Sequence, residues 1–235
     1  MKTKTIIILL IIVVLLGGAA FYVSTFHLDE VQIEGCVLSS PEAIESAVRD
    51  NAPMNNILML WMKNKVSPIR NIPFVAKLDI EFVNKNTLKA TVYEKSVAGC
   101  LEYMDHYVYF DRDGIVLEAA SEKKQGVPSI NGLDIPSWEL GRELPIDDPD
   151  RFAQILNITQ LIEKYNLEID LISFTKEGEI ILRHNKILIE LGDGSNLTMQ
   201  MMNLGSILRG LEGKKGTLYL KDFNSDTSTA SFKEK

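Results

Sequence analysis

Thiol and imidazole are scarce in this chain of 235 residues, which holds two cysteines, Cys36 and Cys100, and three histidines, His27, His106 and His184. The histidines are far apart, and none has a cysteine, histidine or carboxylate at ligand spacing on a shared element, which argues against a zinc site. Missing too is a G-x-S-x-G elbow, and Gly213-Lys214-Lys215-Gly216-Thr217 lacks the glycine spacing of a phosphate loop and precedes a strand instead of a helix. Asp111, Asp113 and Glu118 fail as a calcium loop because Gly114 falls at its fourth position, not its sixth. Asp147, Asp148 and Asp150 cluster where a helix begins, as acids commonly do to complement the helix dipole. The expectation is a protein that is not an enzyme and uses no metal or cofactor.

Basic charge is short as well. Against 32 acidic residues stand 25 basic ones, two of which, Lys2 and Lys4, precede a long apolar run while every acid follows it. A surface with that balance repels phosphate backbones, which excludes nucleic acid as a natural partner. The two cysteines fall in separate segments; an oxidising compartment would permit a bridge between them, but isolated thiols more commonly serve as small buried apolar side chains.

What is abundant is the uncharged run Ile6 to Val23, IIILLIIVVLLGGAAFYV. As a helix it reaches roughly 27 Å, close to the ~30 Å hydrocarbon thickness of a bilayer. Lys2 and Lys4 before it, with Asp29 and Glu30 after it, put the N-terminus in the cytoplasm by the positive-inside tendency. A cleavable signal peptide ending near Gly17-Gly18-Ala19-Ala20 is the rival reading; the run continuing through Phe21-Tyr22-Val23 favours a retained anchor.

Beyond the anchor, Leu28 to Glu34 alternates as a strand ended by Gly35. Ser39 or Ser40 then caps a helix carrying Pro41 in its first turn and Ile44, Ala47 and Val48 on one face. Asn55-Asn56 opens a second helix with Ile57, Leu60 and Trp61, which Pro68 and Pro73 terminate. Val75 to Phe82 and Thr87 to Glu94 alternate around Asn84-Lys85-Asn86 as a hairpin, giving strand, helix, helix, strand, strand: a compact α+β unit.

From Ser96 the pattern becomes a meander, Val97 to Tyr103, Tyr107 to Phe110 and Ile115 to Glu118, with Asp111 to Gly114 as a turn. Residues 126 to 136 read as a connection. A long helix starts at Asp148-Pro149, strands follow near residues 168–175, 179–184 and 186–191, then a helix over Leu197 to Leu211 and a final strand, Thr217 to Phe223. Tyr103, Tyr107, Tyr109 and Phe110 are read as sheet core in preference to a sugar-stacking face.

Four local patterns in this order resemble the FtsQ/DivIB family of bacterial cell-division proteins: Val31-Gln32-Ile33-Glu34-Gly35; Ile72-Pro73-Phe74-Val75 leading to Val92-Tyr93-Glu94-Lys95; Tyr109-Phe110-Asp111-Arg112-Asp113-Gly114-Ile115-Val116-Leu117; and Val127-Pro128-Ser129-Ile130-Asn131-Gly132. The chain departs from the family at Lys95-Ser96, where arginine and proline are usual, and in its last strand, Tyr219-Leu220-Lys221-Asp222-Phe223.

The apolar run and its flanks give a cytoplasmic tail at 1–5 and a transmembrane helix at 6–26, the polar Ser/Thr-rich end reads as a flexible tail at 224–235, and the resemblance implies a POTRA domain at 27–95 and a β domain at 96–223. It also implies a single-pass scaffold of the divisome at the septum. Its partners would be FtsL-like and DivIC/FtsB-like bitopic proteins, with peptidoglycan as a further candidate, and its role would be to help control septal peptidoglycan synthesis. A membrane-tethered or secreted cell-wall hydrolase or binding protein is the alternative. Taking Thr217 to Phe223 as an exposed terminal strand, the resemblance points to Tyr219, Leu220, Lys221 and Phe223, with Lys233 nearby, as the partner-binding residues.

Overall fold

A computed structural model of the protein describes residues 2–133, 135–223 and 229–235 and divides the chain into two compact units, Met1–Lys95 and Ser96–Lys235. The architecture is α+β, with an apolar N-terminal helix, a three-stranded sheet in the first unit and a nine-stranded sheet in the second.

In the first unit, helix α1 (Lys2–Ser24) contains a stretch, Lys4–Ser24, long and apolar enough to cross a membrane, with no residue of its apolar window buried. Strand β1 (Glu30–Glu34) pairs in parallel with β3 (Thr87–Glu94), which pairs antiparallel with β2 (Val75–Phe82), in the order β1-β3-β2. Helix α2 (Pro41–Asp50) starts because Ser40 accepts a hydrogen bond from the Ala43 N–H while Pro41 pre-sets the first turn. Helix α3 (Ile57–Val66) is capped the same way, Asn56 accepting from Met59 N–H. Ile44, Val48, Ile57 and Leu60 bury against Leu78, Ile80, Leu88, Ala90 and Val92 of the sheet. Arg49 ties α2 to the start of β1 by donating to the carbonyls of Leu28 and Asp29, both at 3.1 Å.

Gly35 ends β1 at φ +89°, where a side chain would collide with the Val92 carbonyl. The chain then wraps around one carboxylate. Glu94, the last residue of β3, accepts from the N–H groups of Val37, Leu38 and Ser39 at 2.7 to 2.9 Å and from the Ser39 hydroxyl. Partial burial works against ionisation, but the Ser39 hydroxyl and the three N–H groups outweigh it and hold the Glu94 pKa below the usual carboxylate value.

The second unit is built on β4 (Gly99–Tyr103), β5 (His106–Phe110), β6 (Val116–Ala120), β7 (Ser129–Ile130), β8 (Leu171–Phe174), β9 (Ile180–His184), β10 (Ile187–Gly192), β11 (Gly216–Tyr219) and β12 (Ser231–Glu234), in the order β12-β11-β10-β9-β8-β7-β4-β5-β6. Helices α4 (Pro149–Lys164) and α5 (Leu197–Arg209) contribute Phe152, Ile155, Ile158, Leu161, Leu197, Met201, Leu204 and Leu208 to the core over this sheet. Asp148 caps α4 by accepting from Arg151 N–H, and Asp111 holds its turn by accepting from the N–H of Asp113 and Ile115. These carboxylates act in capping and turn geometry.

Two expectations need correction. Residues 126–136 are not merely a connection: β7 lies within them, parallel to both β4 and β8, and joins the two halves of the large sheet. A two-residue strand leaves no alternation to detect. The C-terminal segment is not all free tail either, since Ser231–Glu234 pairs antiparallel with β11 as β12; residues 224–228 lie outside the described residues.

Candidate interaction site

The C-terminal edge of the large sheet follows from one glycine. A Cβ at Gly216 would collide with the Lys233 carbonyl and stand 2.8 Å from the Phe232 ring, so the close approach of β12 to β11 requires a residue without a side chain. The register pairs Gly216 with Glu234, Thr217 with Lys233, Leu218 with Phe232 and Tyr219 with Ser231. The Lys235 N–H also donates to Lys215 O at 2.9 Å. Because an antiparallel ladder alternates inward and outward groups, the N–H groups of Phe232 and Glu234 then point away from β11. Phe232 packs partly against the core, while Ser231, Lys233 and Glu234 are exposed.

This arrangement corrects the expected docking strand. The segment Thr217 to Phe223 is not a terminal edge: β11 ends at Tyr219 and is paired on both sides, with β10 and with β12. Leu220 and Phe223 are buried in the core, and the Leu220 carbonyl accepts from Gln200 Nε2 at 2.8 Å, so neither side chain can reach a partner. Tyr219 is half-buried, and Lys221, half-exposed, lies 3.8 Å from the Glu179 carboxylate. Lys233 is exposed on the edge strand itself. Ser231, Phe232 and Glu234 were missed because four alternating residues after a Ser/Thr-rich stretch are too short a signal.

The opposite edge is less open. Residues 139–144 fold along β6, with Val116 N–H donating to Arg142 O and Gly141 N–H to Val116 O, each at 2.8 Å, and Leu144 N–H to Gly114 O at 2.9 Å. An edge covered in this way is a poor template for a further strand.

Among the described residues, no group of three or more His, Cys, Asp or Glu side chains is placed to hold a metal ion. His106 and His184 each face a backbone carbonyl, of Met104 and Glu168. Cys36 and Cys100 are free and belong to different units, and burial pushes the Cys100 thiol up from its ordinary pKa, away from the reactive thiolate. Tyr109 and Phe110 are core residues, as the strand spacing implied.

No family model matches the chain. It is similar to the cell division protein DivIB of Clostridium tetani, 24% identical over 165 residues, which is 69% of this chain and 62% of that protein's length. The chain therefore spans less than two thirds of its curated relative. That similarity, over an α+β fold with an apolar N-terminal helix, bears out the resemblance of this chain to the FtsQ/DivIB family.

Proposed function

We propose that the protein is a bitopic, non-enzymatic scaffold of the bacterial cell-division machinery, anchored by α1 with its N-terminus in the cytoplasm and its two folded units outside. The observation that carries this reading is the similarity to DivIB across 69% of the chain. Residues 27–95 act as the POTRA domain and the remainder as the β domain. FtsL-like and DivIC/FtsB-like proteins at the septum are the partners, through which the protein helps control septal peptidoglycan synthesis.

The geometry favours strand addition at β12 as the mode of contact. Among the described residues no strand pairs with its outer side, which also carries Lys233, available to an extended acidic segment. The docking residues are therefore Ser231, Lys233 and Glu234, with Tyr219 and Lys221 flanking them.

Glu234→Pro removes an outward N–H without touching an inner ladder bond, and Lys233→Glu reverses the edge charge. Each should weaken capture of the FtsL-like and DivIC/FtsB-like partners about tenfold, which corresponds to ~1.4 kcal/mol. Unchanged affinity in both variants, with β12 still protected from hydrogen exchange, would remove β12 from the reading. Normal septation in cells depleted of the protein would remove the divisome role itself.

A further inference from the structure

We infer that the face of the first unit formed by α3, the turn Pro53–Asn55 before it and the tip of the β2–β3 hairpin lies in the headgroup layer of an anionic lipid bilayer. The folded unit then touches the membrane a second time beside its anchor. The inference rests on the single-pass reading of α1.

Ile57-Leu58-Met59-Leu60-Trp61-Met62 is apolar at every position, so α3 is hydrophobic around its whole circumference for nearly two turns. Only Ile57 and Leu60 are fully buried by the unit's own core. A helix apolar on all sides is ordinarily enclosed by protein or by lipid. The leftover surface is organised: Leu58, Met62 and Val66 recur every four residues along α3, Met62 and Val66 are 58% and 89% exposed, and Met54 of the preceding turn is 80% exposed. Val83, at the hairpin tip, is exposed as well.

The buried Asn56, which caps α3, donates through Nδ2 to the Val23 carbonyl at 2.8 Å, tying the start of α3 to the last turn of α1. A line of rings continues the contact: Tyr22 to Phe26 with centroids 5.4 Å apart, Phe26 to Phe82 at 6.4 Å, Phe82 to Trp61 at 5.5 Å. The 21 apolar-helix residues Lys4–Ser24 span about the ~30 Å hydrocarbon thickness. The Val23 carbonyl therefore reaches the hydrocarbon boundary, and groups bonded to it enter the headgroup layer, some 5–7 Å deep. Tyrosine and tryptophan are the residues enriched there.

Residues 51–76 contain Lys63, Lys65 and Arg70 and no acidic residue, while Lys77 is ion-paired with Asp79, in a chain whose net charge is −7. Lys65 lays its ammonium 3.7 Å from the Trp61 ring centre. Apolar side chains interleaved with lysines beside a spanning helix match an anionic lipid surface, the long lysine stems lying along the apolar layer with their heads among the phosphates.

The test uses the full chain carrying Trp138→Phe, so that Trp61 is the sole tryptophan, reconstituted into vesicles of phosphatidylcholine and phosphatidylglycerol. Lipids brominated near the headgroup should at least halve Trp61 emission, deep-brominated lipids should quench less, and aqueous iodide should lose access. Adding Met62→Glu and Val66→Glu, both at exposed positions, should abolish the quenching while circular dichroism stays unchanged. Emission indifferent to brominated lipid overturns the inference; if iodide is nevertheless excluded, a second protein surface covers this face instead. Quenching that survives the double glutamate variant also overturns the assignment to α3. Extraction of the chain by alkaline carbonate removes the anchor reading and this inference together, whereas retention with unquenched Trp61 overturns the inference alone.

Discussion

Replacing Glu94 by glutamine keeps the size of the side chain and removes the charge around which residues 37–39 fold. The carboxylate accepts from three backbone N–H groups and one hydroxyl. Hydrogen bonds to a charged acceptor contribute about 1.5–3 kcal/mol each against about 0.5–1.5 for neutral ones, and the glutamine NH2 would also face the Leu38 N–H, which is itself a donor. Glu94 is only half-buried, so solvent screening discounts the gross difference to about 1–2 kcal/mol. With a urea m-value of about 1 kcal/mol/M for a domain of this size, the midpoint of the first unit should fall by about 1–2 M.

The assay follows Trp61 emission in the Trp138→Phe chain, held in micelles, as urea is raised. A depressed folded-state pKa gives stabilisation that is complete above the unfolded carboxylate value of ~4.3 and is lost as pH falls through the lower folded value. The parent and the Glu94→Gln chain should therefore differ at pH 7 and converge as the pH is lowered below the unfolded carboxylate value and through the lower folded one. A midpoint difference that is absent at neutral pH, or equally large at both ends of the range, would refute the role given to the charge.

Three further perturbations address the rest of the fold. Ile158→Ala, at a fully buried position in α4, should cost the second unit about 2–5 kcal/mol, read by Trp138 emission, with the Trp61 transition unmoved; a joint shift would show that the units do not unfold separately. Gly35→Ala forces a side chain into positive φ and against the Val92 carbonyl and should destabilise the first unit by about 1–3 kcal/mol in the same urea titration. Gly216→Val should peel β12 from β11, so that amides 231–235 exchange rapidly while those of α4 stay protected; retained protection at 231–235 would contradict the close approach inferred at this glycine.

Elements with strong local signals were legible in the sequence. Ser40-Pro41 and Asp148-Pro149 mark helix starts because a capping oxygen and a fixed φ act within a few residues, and both helices begin there. Val75 to Phe82 and Thr87 to Glu94 alternate over eight residues each, and both strands have those bounds. The uncharged run from Ile6 to Val23 was equally plain, since length and composition alone give its helix the dimensions of a membrane span. Tertiary structure decided what local pattern could not carry. The two residues of β7 are a strand only because β4 and β8 flank them, and β12 exists only because Gly216 lets it approach. Leu220 and Phe223 look like any apolar residues near a chain terminus until the core closes over them, and that closure, with β12 laid beyond β11, moved the last strand of the sheet among the described residues from Thr217 to Phe223 onto Ser231–Glu234.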